Sequence, residues 1–323
     1  MLVLTYDNTA LTDGVGAQLH RIYGIYAVSR LLGVSYLHSP LLDVGYQGLS
    51  ALQANAADPD FHRSFNELLD IPSDIVPAGD LQTIRLPNIG LTVANQLVAR
   101  TERGSAGKAT LLRLTTPHGI ADRFPDCYEV CKQLSPFSSS RRGGEPLRVA
   151  LHVRRGEQVV VESDRLLPNM YYLNVARRVV AALDALKLDF RIELWTEVPT
   201  TEFVVGLQHH GINGRLNEPR VVRPEMYELA EFDLLPNLVH CLNGRAIDCL
   251  RGLATADILI MSRSSFSYVA AILNRNGIIF YHPFWHSPPS SWITADPDGR
   301  FDDSRLGSAL RANYKKRFSS LRR

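Results

Sequence analysis

Cysteine is scarce. The 323 residues hold four, Cys127, Cys131, Cys241 and Cys249, and none forms a CxxC pair. A zinc ribbon and a thioredoxin-like redox site are therefore excluded, and free, mostly packed thiols are expected. A surplus of charge is missing too. Against 33 Asp plus Glu stand 35 Lys plus Arg, a formal net charge of +2. No general field draws the chain to nucleic acid or to an anionic membrane, and any anion site has to be local. No stretch approaches the roughly 18 consecutive apolar residues of a membrane span. The opening Met1–Tyr6 is not a basic segment followed by a long apolar one, and a cytoplasmic protein is expected. Internal repeats and low-complexity blocks are also absent.

What is present is an ordinary globular composition, 45% apolar and 21% charged, in a chain about two average domains long. The run Ser135–Pro146, SPFSSSRRGGEP, interrupts the apolar periodicity and suits an exposed linker. It divides the chain into an N-terminal α/β domain over 1–140 and a C-terminal domain over 145–300, followed by a basic segment, 301–323.

In the first part Leu2–Tyr6 reads as a buried strand, Asp13–Gly16 as a turn and Gln18–Leu32 as a helix that Gly33 stops. Strands are expected at Ser35–His38, Leu81–Leu86 and Thr110–Thr115, with an irregular stretch up to about Asp80. After the linker the alternation is cleaner. Strands at Leu147–Val153, Phe190–Trp195, Asp257–Met261 and Gly277–Tyr281 alternate with helices at Asn169–Leu186, Ile247–Thr255 and Ser265–Leu273. That rhythm predicts parallel sheets with right-handed crossovers, two Rossmann-like halves facing a cleft at the carboxyl ends of their strands. Arg311–Arg323 holds six Lys or Arg and no acid. It reads as a solvated terminal helix, with contact to a membrane surface or an anionic acceptor as the alternative.

Chemistry concentrates in three places. The strand from Leu147 delivers His152, Arg154 and Arg155 to its C-terminal end, where open α/β sheets bind ligands. A guanidinium there needs an anionic partner: a pyrophosphate, which its planar fork matches bidentately, or a nearby carboxylate such as Glu157. Glu162, in the loop that follows, is either solvated or a base facing the cleft. Ser264 and Ser265 open a helix, as an N-cap or as the edge of a phosphate site. Asp248 is a second N-cap candidate or an acceptor for a purine base or ribose. Gly14-Val-Gly16-Ala-Gln18 follows the first strand but fails the dinucleotide fingerprint. Its third glycine would be Leu19, and the next strand carries no acid at its end. The D-x-D pairs Asp58–Asp60 and Asp296–Asp298 read as proline-centred turns, so no metal requirement is expected.

Taken together, Asp13–Arg21 (DGVGAQLHR), His152–Glu157 (HVRRGE), and Ile247–Asp257 leading to Ser264–Ser267 resemble the motifs of the GDP-fucose-dependent fucosyltransferases. These comprise the α1,2-, α1,6- and protein O-fucosyltransferases. The resemblance implies a GT-B fold and an inverting, metal-independent transfer of L-fucose from GDP-fucose to a glycan acceptor, without a further cofactor. By position it implies that Arg154 binds the β-phosphate and stabilises departing GDP, and that His152 and Asp248 hold guanosine. Ser264 and Ser265 would meet phosphates or ribose, Gly14, Gly16 and Gln18 would border the donor from the other domain, and Glu162 would be the base. Glu157 stands where the motif commonly has Asp. The Ser264–Ser267 run reads more like the α1,2 enzymes, whereas Gly16–His20 and the Arg155-to-Glu162 spacing read more like the α1,6 enzymes, so the linkage stays open. The alternatives are a transferase for another GDP-hexose, an NAD-linked oxidoreductase built on Gly14–Gln18, and a nucleotide- or sugar-binding module without turnover.

Overall fold

The computed structural model describes residues 1–9, 13–76, 81–103, 109–137, 145–212 and 214–320. The first half runs β1 (Leu2–Tyr6), α1 (Val15–Leu32), β2 (Ser35–Tyr36), α2 (Leu49–Ala54), α3 (Phe61–Leu68), β3 (Leu81–Leu86), α4 (Leu91–Arg103), β4 (Ala109–Leu114) and α5 (His118–Ala121), closed by a 3-10 helix over Pro125–Leu134. The second half runs β5 (Leu147–His152), α6 (Gln158–Val161), α7 (Asn169–Ala185), β6 (Phe190–Thr196), β7 (Phe203–Val205), β8 (Arg220–Val222), β9 (Leu238–Leu242), α8 (Ala246–Ala254), β10 (Ile258–Ile260), α9 (Ser265–Leu273), β11 (Ile278–Tyr281), β12 (Ile293–Thr294) and α10 (Asp303–Ser320).

Each half is built on a parallel sheet, ordered β2-β1-β4-β3 in the first and β12-β11-β10-β5-β6-β9 in the second. Strands β7 and β8 form a separate antiparallel hairpin. In the second sheet the chain starts at β5, adds β6 and β9 on one side, then crosses to β10, β11 and β12 on the other. The order reverses between β5 and β10, and such a switch point leaves a crevice at the strand ends. This is the two-sheet α/β arrangement of the GT-B class.

Burial explains the elements. All five β1 residues, LVLTY, are buried, as expected of a parallel strand covered on both faces. Helix α1 is buried on nearly every side from Val15 to Ser29. It packs on its own sheet, on the 3-10 helix and on α9 of the other half. Gly33, at φ +65°, ends it, its N–H bonding the Arg30 carbonyl and the Val34 N–H that of Ser29. One apolar cluster therefore runs from the first sheet through α1 to α8 and α9, while a second fills the opposite face of the second sheet beneath α7 and α10.

Several expectations shift. The linker reading over Ser135–Pro146 falls largely on 138–144, outside the described residues. The second strand is only Ser35–Tyr36, and the stretch before residue 81 holds α2 and α3. Strand β9 escaped the sequence reading because it is a sheet edge with Val239, His240 and Leu242 exposed, and lacks a continuous apolar run. The basic C-terminal segment begins as a packed element, with Leu306 and Leu310 of α10 buried. Its side chains from Lys315 on lie outside the described residues. The four cysteines are free thiols, of which Cys131 is fully buried. Among the described residues no helix is long and apolar enough to cross a membrane.

Candidate functional site

The carboxyl ends of β5, β6 and β10 and the N-termini of α1 and α9 line an open cleft. His152, the last residue of β5, places Nδ1 2.8 Å from Ser262 Oγ beyond the end of β10. Burial, reinforced by the Arg154 charge, pushes its pKa down to about 3. The ring is neutral at physiological pH and acts as a hydrogen-bonding group rather than a cation.

Arg154 is the centre of the site. One Nη donates to Ser264 Oγ at 3.0 Å and the other to the Glu157 carboxylate. Glu157 is 2% exposed and also accepts from Gln158 Nε2 at 2.9 Å. Ser264 Oγ is at the same time the N-cap of α9, accepting from the Phe266 N–H at 3.2 Å. One hydroxyl thus ties the guanidinium to the positive end of the helix, which concentrates positive potential at the mouth of the switch point. Ser265 also faces the cleft, but its Oγ is engaged 2.8 Å from His286 Nε2. Arg155, buried, has no carboxylate partner among the described residues. It donates to the carbonyls of Arg154 and Leu167 at 2.8 and 3.3 Å and to Asn169 Oδ1, and burial lowers its pKa.

From the other half, Gly14 and Gly16 line the cleft as expected. A Cβ on Gly16 would lie 2.5 Å from the Phe266 backbone, so the start of α1 touches the start of α9 only because this residue has no side chain. Gln18 works indirectly: its amide donates to the carbonyls of Asp13 and Asp43 at 2.9 and 2.6 Å and holds the glycine turn.

Like Gln18, two further expected residues do not line the cleft. Asp248 pairs with Arg245 at 2.7 Å and Arg251 at 3.2 Å in the first turn of α8, and Gly244, Ala246 and Cys249 line the cleft beside it. Glu162, between α6 and a 3-10 turn, pairs at 2.8 Å with Arg165, which does line the cleft. The D-x-D pairs are turns: Asp58 Oδ1 accepts from the Asp60 N–H at 2.9 Å and Asp296 Oδ1 from the Arg300 N–H at 2.7 Å.

The sequence reading missed Glu197. It follows the end of β6, beside the end of β5, and lines the cleft. Its oxygens accept from the Tyr46 hydroxyl at 3.0 Å and the Leu49 N–H at 2.9 Å, both from the first half. Burial, with nearby Glu157, raises its pKa despite those two donors. A titratable side chain at a strand's carboxyl end is the signal that selected His152, and applied to the neighbouring strand it would have found this residue. Gly156, at φ +46°, completes the packing: a Cβ there would come within 2.8 Å of Glu197 Oε2 and 2.9 Å of the Tyr46 oxygen. Arg165, Arg215 and Arg263 were also missed. With Arg154 and Arg155 they make the cleft wall rich in guanidinium groups, a surface suited to phosphate oxygens.

Neither a protein-family model nor a curated protein matches the sequence. Among solved structures the chain is similar to E. coli heptosyltransferase WaaC with ADP, at 15% identity and a TM-score of 0.38 over 98% of this chain and 99% of that one. WaaC with ADP-2-deoxy-2-fluoro heptose gives 13% identity and a TM-score of 0.37 over 98% and 100%. POFUT1 in complex with GDP gives 8% identity and a TM-score of 0.37 over 91% of this chain and 98% of that one. Likenesses of this size do not define an activity; the GT-B architecture stands on the strand orders and the switch point above.

Proposed function

We propose that the chain is an inverting, metal-independent fucosyltransferase that moves L-fucose from GDP-fucose to a hydroxyl of a glycan acceptor. The observation that carries the reading is the 3.0 Å bond between Arg154 and Ser264 at the switch point. A guanidinium and a helix N-terminus side by side suit a nucleoside diphosphate, and the motif resemblance names the sugar.

In the reaction the acceptor hydroxyl attacks fucose C1 as the bond from C1 to the β-phosphate oxygen breaks. GDP leaves from the opposite face, and Arg154 with the α9 N-terminus stabilises the charge that develops on it. Glu162 takes the acceptor proton, for which it has to leave its pair with Arg165 and turn into the cleft. Glu197, which lines the cleft with a raised pKa, is the competing carboxylate for that step. His152 and the glycine turn at Gly14 and Gly16 position the donor.

The test is a thermal-shift comparison of GDP-fucose, GDP-mannose, UDP-glucose and NADH, with and without EDTA, followed by turnover of the Glu162→Gln and Glu197→Gln variants. A ligand at a hundred times its Kd adds about 2.7 kcal/mol. Stabilisation by GDP-fucose above the others, the same increment in EDTA, and loss of turnover in Glu162→Gln with donor binding kept are expected. Stabilisation by NADH alone would overturn the reading, and loss confined to Glu197→Gln would move the base there.

A further inference from the structure

Three histidines far apart in the sequence meet where the two halves join: His20 of α1, His118 of α5 and His286 beyond β11. One nitrogen of each ring lies within 4.8 Å of one nitrogen of each other ring. His20 and His286 are 1% and 3% exposed, whereas His118 is half-buried and opens the cluster to solvent. None of the three lines the donor cleft.

The hydrogen bonds leave two of these rings, His118 and His286, with a buried Nδ1 that has no hydrogen-bond partner, and at His286 the neighbours fix the tautomer. His286 Nε2 accepts from Trp285 Nε1 at 3.1 Å and lies 2.8 Å from Ser265 Oγ. An indole N–H only donates, so the neutral ring carries its proton on Nδ1. That Nδ1 is buried without a partner, a condition folded proteins seldom keep without a reason.

We propose that His20, His118 and His286 bind one borderline divalent transition-metal ion, Zn²⁺ by preference, at the junction of the two halves. Three imidazoles without a thiolate or carboxylate in the set suit zinc and its neighbours rather than Mg²⁺ or Ca²⁺. Two rings have a nitrogen backed in the way metal-bound histidines are, His20 Nε2 by the Tyr128 hydroxyl at 2.7 Å and His286 Nε2 by Ser265, and His118 Nδ1 lies 3.2 Å from the Asp122 carboxylate without a hydrogen bond to it. On binding, the His286 proton moves from Nδ1 to Nε2, where Ser265 Oγ accepts it, and Nδ1 becomes a ligand together with His20 Nδ1 and His118 Nε2. A tetrahedral site with Zn–N bonds of about 2.0–2.1 Å sets ring centroids roughly 5 Å apart. His118 already lies 5.5 Å from His20 and 5.4 Å from His286. The His20–His286 stack, at 3.7 Å, has to open. Arg21, the adjacent cation, is paired with Asp13. The ion plays no part in the transfer proposed above; through His286 it would fix Ser265 at the cleft wall, while the Trp285 indole N–H, which only donates, has to turn away from the newly protonated Nε2.

The test titrates the chelator-treated full chain with Co²⁺ and then Zn²⁺. Expected are one Co²⁺ per chain with the visible absorption of a low-coordinate nitrogen site, displacement by one Zn²⁺, and at least hundredfold weaker binding in His118→Ala. His240→Ala, at an exposed histidine, should bind as the parent does. X-ray absorption on the parent protein should show three imidazole nitrogens at about 2.0–2.1 Å, a readout that needs no variant to fold. No saturable binding, equal affinity in His118→Ala, or an oxygen-only shell would overturn the proposal. Donor binding is not among the readouts, so this result stands apart from the fate of the transferase reading.

Discussion

The Tyr46 hydroxyl donates to Glu197 Oε2 at 3.0 Å, and the two residues come from opposite halves of the chain. Together with the Leu49 N–H on the other oxygen, this bond makes a half-buried carboxylate the polar fastener of the cleft. The same contacts that hold the halves together place an acid with a raised pKa beside Arg154.

That arrangement gives stability a pH signature. Because burial raises the Glu197 pKa, the folded state keeps the proton at pH values where the unfolded chain has lost it. The parent protein therefore loses stability as pH climbs from the unfolded glutamate value, about 4.3, through the folded one, and the loss then levels off. Glu197→Gln has no such term. Urea midpoints at pH 4.5, 6 and 8 should shift in favour of the variant as pH rises; a constant difference would refute the assignment.

Arg154 should be irreplaceable even by lysine. Its two Nη atoms reach Ser264 and Glu157 separately, a fork that an ammonium cannot reproduce. Arg154→Ala should lower turnover about a hundred- to thousand-fold, and Arg154→Lys should recover only a small part. Steady-state kinetics with a donor titration measures both, and full activity in the lysine variant would show that charge alone suffices.

Gly16→Ala tests the contact between the two helix starts. The added methyl meets the Phe266 backbone at 2.5 Å, which no side-chain rotation relieves. A cost of about 1–3 kcal/mol is expected, with weaker nucleotide binding because α9 has to move. Gly90→Ala, where a Cβ meets nothing within 4 Å, should stay within about 0.5 kcal/mol of the parent. Chemical denaturation that ranked the two equally would remove the steric argument.

Acid should unfold the protein through its histidines. The pKa values of His152 and His286 fall to about 3 and that of His20 is also well below normal. The unfolded chain binds protons from about pH 6.5 downward while the folded chain refuses them, so stability declines as pH falls below that value. Measured in chelator, His152→Gln should flatten the decline by roughly 1.4 kcal/mol per pH unit between about pH 4 and 5.5. An unchanged slope would mean that His152 is protonated in the folded state.

Local pattern determined much of this protein. The strand that ends at His152, the helix that Gly33 stops, the helix that Ser264 caps and the βα alternation of the second half follow from periodicity and capping chemistry, which act between residues close in sequence. The same reasoning placed Arg154 and Ser264 at strand and helix ends and so reached the core of the site. It did not show that Arg154 bonds Ser264, that Asp248 spends its charge on Arg245 and Arg251, or that Glu197 faces Tyr46. Nor did it bring His20, His118 and His286 together. Those pairings depend on how α1 packs against α9 and how the first half closes over the ends of β5 and β6. Tertiary packing decides such contacts, because residues far apart in the chain carry no periodicity that links one to another.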